Sequence, residues 1–367
     1  MYMRGSAKCE LPTAMNKKKT FLVIGSIVLY AVLFVEISIT ASAETDLYFP
    51  PMNADWETVS LEETGWDASK LDRAVKYVGE QNSSGIVILY RGRILVETYW
   101  NIKPAEYRRS LYKYMLVGST SDGRAIEDVA SVQKSVISFL AAMARVNGKL
   151  DIDSTVARYL GDGWSKASLK QESNITVKHL MSMTSGLDES LHYKHPAGTV
   201  WDYNTTAYSM MIPVLAKAAG MDINQLTSIW LTSPVGMLES RWETRRWLQN
   251  VHAANTIGFV SSARDLARFG LLVLAEGKWG GKAILRDSKY LHESLTPSQN
   301  LKPSYGYLWW ILKKYKSVAA FGKLTRMVVV IPDKQIVIVR LGDQIKDSNR
   351  YFRDQLFKLL VDAMPDQ

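Results

Sequence analysis

Ser131 and Lys134 stand three residues apart in Asp128-Val-Ala-Ser-Val-Gln-Lys-Ser-Val-Ile-Ser-Phe-Leu-Ala-Ala-Met-Ala-Arg-Val-Asn-Gly148. From Ser131 onward this run is apolar and helix-forming, and it closes on a glycine that suits a helix C-terminus. Residues three apart share a helix face, so the spacing brings the Lys134 amine within reach of the Ser131 hydroxyl. A serine hydroxyl attacks a carbonyl only once a base removes its proton, and lysine can be that base only if burial or a nearby cation lowers its pKa. The helix start adds a favourable field for negative charge developing there. The chemistry on offer is acyl transfer through a covalent serine intermediate. Alone, Ser-x-x-Lys is a short pattern, and an N-capped helix with a solvated lysine reads the same way.

The surrounding elements must hold that pair over a cleft. After a Pro/Trp-rich stretch from Phe49 to Trp56, the segment Asp67-Ala-Ser-Lys-Leu-Asp-Arg-Ala-Val-Lys-Tyr-Val predicts a capped amphipathic helix with Asp67 or Ser69 near its start. Gly85–Arg91 and Arg93–Trp100 flank Gly92 and predict a hairpin. Strand-like runs return at Tyr305–Leu312, Met327–Pro332 and Gln335–Leu341, followed by a closing helix from Asn349 to Met364. Residues from about 105 to 300 are mostly helical in pattern. Strands at both ends and helices between predict an α+β fold, an α/β/α sandwich. Its antiparallel sheet is assembled from N- and C-terminal segments and carries an inserted helical lobe, with a cleft where the two meet.

Further stretches follow in order: Asp122-Gly-Arg-Ala-Ile-Glu-Asp leading into Ser131, Gly148-Lys-Leu-Asp-Ile-Asp, Ile175-Thr-Val-Lys-His-Leu-Met-Ser-Met-Thr-Ser-Gly-Leu, Pro234-Val-Gly-Met, Ser261-Ser-Ala-Arg-Asp-Leu-Ala-Arg-Phe-Gly and Tyr305-Gly-Tyr-Leu-Trp-Trp. Together, from Gly65 to Leu341, they resemble the serine β-lactamase and penicillin-binding protein superfamily. The likeness is greatest to its class C-like branch of esterases and 6-aminohexanoate-dimer hydrolases. The resemblance implies a β-lactamase/transpeptidase-like fold with Ser131 as the acylated nucleophile and Lys134 as its proton partner.

It also implies further site residues. In Pro196-Ala-Gly-Thr-Val-Trp-Asp-Tyr-Asn-Thr-Thr-Ala-Tyr208, Tyr203 matches the family's general acid/base tyrosine. The family asparagine belongs two places later, where Thr205 stands; Asn204 lies one place early and is taken as its substrate-binding counterpart. In Phe321-Gly-Lys-Leu-Thr-Arg326, Lys323 matches the strand cation facing the site, and the Arg326 backbone N–H would join that of Ser131 as an oxyanion hole. Leu324 and Thr325 replace small glycines there, so either the strand tolerates them or the pocket is narrowed. Both departures point away from β-lactams toward a small ester or amide.

Other chemistries find little support. No Gly-x-Ser-x-Gly elbow occurs. His179, His192, His195, His252 and His292 lack metal-ligand spacing, and His179 reads as packed within its helix, so neither metal nor cofactor is expected. No phosphate-cradling glycine loop follows a strand, and no basic run or nucleic-acid motif accompanies the formal charge of +9.

Lys17-Lys18-Lys19, the uncharged run Thr20 to Val35 and Ala41-Ser42-Ala43 follow the order of a secretory signal peptide. A retained membrane anchor through residues 20–40 is the alternative, although the run stops short of the ~20 apolar residues a bilayer span needs and Glu36 interrupts it. Removing residues 1–43 takes away the single cysteine, Cys9, and five cations against two carboxylates, leaving +6. The expected organisation is therefore signal or anchor over 1–43, linker over 44–64 and hydrolase domain over 65–367, exported to the periplasm or beyond. The expected partner is a small ester or amide, with no nucleic acid. The contrasting reading is a catalytically weak receptor of the same fold for envelope peptides or glycans, motivated by the lost glycines beside Lys323.

Overall fold

Asp67 caps the first long helix, Ala68–Glu80 (α1), accepting a hydrogen bond from Lys70 N at 2.9 Å. Leu71, Ala74 and Val78 recur at three- and four-residue spacing and are buried. The hairpin follows as Ser83–Tyr90 (β1) and Arg93–Tyr99 (β2). Its two-residue turn has positive φ at both Arg91 (49°) and Gly92 (82°), the geometry that matches strand twist. A Cβ at position 92 would lie 1.9 Å from Tyr48 O, so glycine is required for space as well.

This computed structural model describes residues 47–52, 55–103, 110–245, 248 and 255–365. The signal or anchor segment lies outside the described residues. Among those described, no helix is long and apolar enough to cross a membrane. Among the described residues of the stretch expected as a linker, Trp56 is buried with Nε1 donating to Gly92 O at 2.8 Å, and Ser60 forms a capping box with Glu63 over Leu61–Thr64. One large aromatic seeking cover explains the difference.

Further along come Leu116–Ser119 (β3), Ala125–Asp128 (β4), the helix Gln133–Val146 (α2), the short helix Thr205–Ser209 (α3), Arg241–Thr244 (β5), Ile257–Ser261 (β6) and the helix Ala263–Leu274 (α4). The chain ends with Trp310–Leu312 (β7), Ser317–Phe321 (β8), Met327–Ile331 (β9), Ile336–Gly342 (β10) and the helix Asn349–Ala363 (α5). The main sheet has the order β2-β1-β10-β9-β8-β7, every neighbour antiparallel, so both chain ends build it as expected. Alternation along β1 sends Ile86 and Ile88 toward Val78, Phe352 and Leu356 of α1 and α5, while Val87 and Leu89 join Phe139 of α2 and Phe269 of α4. Helices thus cover both faces, an α/β/α sandwich.

One expectation is extended and another needs correction. The inserted lobe is helical as expected, but a second antiparallel sheet, β3-β4-β6-β5, also runs through it. Its strands are four or five residues long, too short for alternation to register. Tyr305–Leu312 is not one strand. Only its last three residues are extended, because the chain bends at Leu308 (φ 64°) with Gly306 N bonded to Trp309 O at 2.9 Å. The bend presents carbonyls to α2: Ser135 Oγ donates to Leu308 O at 2.8 Å and Ser138 Oγ to Tyr307 O at 2.6 Å.

Candidate active site

β4 delivers the chain to the nucleophile through a tight turn. Ala130 takes a left-handed φ of 52°, a conformation costing about 1 kcal/mol for a non-glycine residue. Its N–H is held by Asp128 Oδ1 at 2.8 Å. One 3-10 turn, Ala130–Val132, then runs into α2 with Ser131 half-buried at its head. One turn on, Lys134 is 2% exposed, and its Nζ lies 3.0 Å from Ser131 Oγ. The spacing in sequence therefore becomes contact in space.

The same amine lies 3.3 Å from Thr205 Oγ1, 4.8 Å from the ring centre of Tyr203 and 4.4 Å from that of Tyr208. Burial among these groups, and next the charge of Arg245, lower the Lys134 pKa to about 7, with Glu189 acting in the opposite sense. Burial also raises the Tyr203 pKa, partly offset by a hydrogen bond with Ser131. Near neutral pH the lysine is thus available as a free amine beside the serine, while the tyrosine keeps its proton. Tyr203 is fixed by aromatic neighbours, stacked on Trp310 at 6.0 Å and edge-on to Tyr305 at 6.2 Å.

The remaining expected site residues sit differently. Asn204 is buried and caps α3: Oδ1 accepts from Ala207 N at 2.7 Å and Nδ2 donates to Leu187 O at 2.8 Å. Its amide is occupied by the backbone, and Thr205 is the neighbour that reaches Lys134. The Glu189 carboxylate braces this corner, accepting from Thr205 N at 3.0 Å and Thr206 N at 3.2 Å. Lys323 is exposed, and among the described residues its ammonium makes no ion pair. The Arg326 guanidinium is fully buried, donating to Glu127 Oε2 at 2.7 Å and to Lys323 O at 3.2 Å. Glu127 also accepts from Tyr112 Oη at 2.9 Å and from Ser84 Oγ.

The backbone that abuts the nucleophile belongs to Gly322. A Cβ there would fall 2.6 Å from Val129 O and 3.3 Å from Ser131 N. Its own N–H donates to Arg326 O at 2.8 Å. Leu324 and Thr325 answer the question of the lost glycines by adopting left-handed φ values of 61° and 59° and turning inward. Leu324 packs with Tyr112 and Met115, while Thr325 Oγ1 donates to Asn349 Oδ1 at 2.9 Å. Neither side chain is left free to fill the cleft.

Sequence reading missed Arg245, whose guanidinium grips Asp128 through Nε–Oδ2 at 2.6 Å and Nη2–Oδ1 at 3.0 Å. Nothing in the text near position 245 signals a partner 117 residues away. His179 takes part in local capping, with Nδ1 accepting from Thr176 N at 3.1 Å. Among the described residues no group of three or more His, Cys, Asp or Glu side chains could hold a metal ion.

A model of the β-lactamase family matches residues 71–356. Similar solved structures include a protein from Bacillus anthracis assigned as a 6-aminohexanoate-dimer hydrolase, 16% identical with a TM-score of 0.64, covering 88% of this chain and 91% of that one. EstCE1, a hydrolase with promiscuous acyltransferase activity, is 15% identical with a TM-score of 0.61 and coverage of 79% and 98%. The octameric penicillin-binding protein homologue from Pyrococcus abyssi is 14% identical with a TM-score of 0.59 and coverage of 82% and 78%. At these identities the likeness is one of fold. No curated protein sequence matches the chain.

Proposed function

The chain belongs to the β-lactamase family of serine hydrolases, and we propose that it cleaves a small ester or amide through an acyl-enzyme on Ser131. The observation that carries this reading is the buried Lys134 amine 3.0 Å from Ser131 Oγ. With its pKa lowered to about 7, the amine accepts the hydroxyl proton as the oxygen attacks the substrate carbonyl. The tetrahedral oxyanion is held by the backbone N–H of Ser131 and that of Arg326, at the far end of the turn that starts at Gly322, the residue abutting Ser131 N.

As the intermediate collapses, the phenol of Tyr203 gives its proton to the departing alkoxide or amine, and the Lys134 ammonium reprotonates the phenolate. Water then attacks the acyl group by the reverse relay, regenerating Ser131. Coupled groups titrate together, so the relay acts as one unit.

Labelling with a fluorophosphonate, followed by peptide mapping, tests the reading. An adduct on Ser131 that disappears in Ser131→Ala is expected. Tyr203→Phe is expected to lose on the order of 10²-fold or more in ester turnover. Unlabelled, inactive wild-type protein would favour the receptor reading.

A further inference from the structure

Arg245 is buried at the end of β5, and its donors serve the two residues that bracket the nucleophile turn. Besides its paired contacts to Asp128, Nη2 donates to Gln133 Oε1 at 2.8 Å and Nη1 to Asn255 O at 3.0 Å. Asp128 in turn holds the strained Ala130 N–H, and Gln133, the first residue of α2, also accepts from Phe259 N at 3.0 Å. One guanidinium therefore links β5, the turn before Ser131 and the residue next to Lys134.

We infer that Arg245 is a positioning residue for the reaction: through Asp128 and Gln133 it fixes the turn presenting Ser131, and it places a fixed positive charge within range of Lys134. The inference rests on the hydrolase reading above. Bidentate Arg–carboxylate geometry suits such a role, because two parallel bonds set orientation as well as distance. Residues facing the Lys134 amine are Ser131, Thr205, Tyr203 and Tyr208, with Arg245 and Glu189 as the charges acting on it. Arg245 also covers the Asp128 carboxylate, in the turn just before Ser131. Loss of Arg245 removes a cation and uncovers an anion, and both changes favour the protonated lysine.

The test is the pH profile of kcat/KM for p-nitrophenyl acetate in Arg245→Gln and Arg245→Lys, with circular dichroism to verify the fold. Arg245→Gln is expected to move the acid limb upward by about half a pH unit or more. Arg245→Lys is expected to keep the limb close to that of the wild type and to lose kcat, since a single ammonium cannot hold Asp128 and Gln133 together. A folded Arg245→Gln protein with an unmoved limb, or equal shifts in both variants, overturns the inference. Should Arg245→Gln fail to accumulate, Asp128→Asn with Arg245→Gln leaves no unpaired buried charge. A loss of kcat in that folded double variant supports the role, because the turn presenting Ser131 is no longer tied to β5, and an undiminished kcat overturns it. Failure of wild-type Ser131 to take a fluorophosphonate would instead defeat the hydrolase reading itself.

Discussion

The Lys134 amine lies 3.3 Å from Thr205 Oγ1, on the residue that the family resemblance aligns with an asparagine of β-lactam-handling members. The nearby Asn204 cannot substitute, because its amide is already bonded to Ala207 N and Leu187 O. On that alignment the site offers a hydroxyl in place of an amide donor.

Hydrolysis of a small activated ester is accordingly expected to exceed that of nitrocefin by a wide margin. A missing hydrogen bond to a buried polar group costs about 1–3 kcal/mol. Thr205→Asn is expected to shift the kcat/KM ratio toward nitrocefin. Thr325→Gly is not, since that side chain is tied to Asn349. Efficient nitrocefin turnover by the unmodified protein would contradict this assignment of Thr205.

Activity is expected to rise with pH through about 7. The reactive form of Lys134 is the neutral amine, and its pKa is lowered to about 7 by burial and by Arg245. The acid limb of kcat/KM reports this group in the free enzyme. A flat profile between pH 5 and 9 would remove Lys134 from the role of base.

Stability carries the opposite mark of the same burial. Unfolded Lys134 binds its proton up to its ordinary pKa near 10.5, whereas folded Lys134 releases it above about 7. The desolvation cost is therefore full below about 7 and fades as pH rises toward 10.5. Lys134→Met is expected to raise Tm, and to raise it more at pH 6 than at pH 9. Equal gains at both pH values, read by differential scanning calorimetry, would show that the lysine titrates alike in both states.

Gly322→Ala is expected to cut turnover while leaving the fold in place. A methyl group 2.6 Å from Val129 O must displace the turn carrying Ser131, and misplacement by about 1 Å costs on the order of 10²-fold in rate. Unchanged kcat in this variant would separate Gly322 from the oxyanion pocket.

The mature chain is expected to start near Glu44, outside the cytoplasm, given the order of Lys17–Lys19, the uncharged run and Ala41-Ser42-Ala43. N-terminal sequencing of exported protein checks it. Membrane-bound protein that retains residues 20–35 would identify the segment as an anchor instead.

Sequence by itself determined what repeats at short range. The three-residue spacing of Ser131 and Lys134, the cap at Asp67, the hairpin at Gly92 and the apolar strands at both ends were legible because each depends on neighbours a few residues away. The tertiary structure alone decided three other matters. It assigned Asn204 to a helix cap and Thr205 to the lysine, since register at a helix start depends on what packs around it. Leu324 and Thr325 turned inward because Tyr112, Met115 and Asn349 were there to receive them. Arg245 came to the nucleophile turn from a distant strand, and no local pattern encodes a pairing made only when separate segments are buried together. That pairing is nonetheless what places a charge near Lys134, because desolvation and Coulomb forces depend on distance in space and not along the chain.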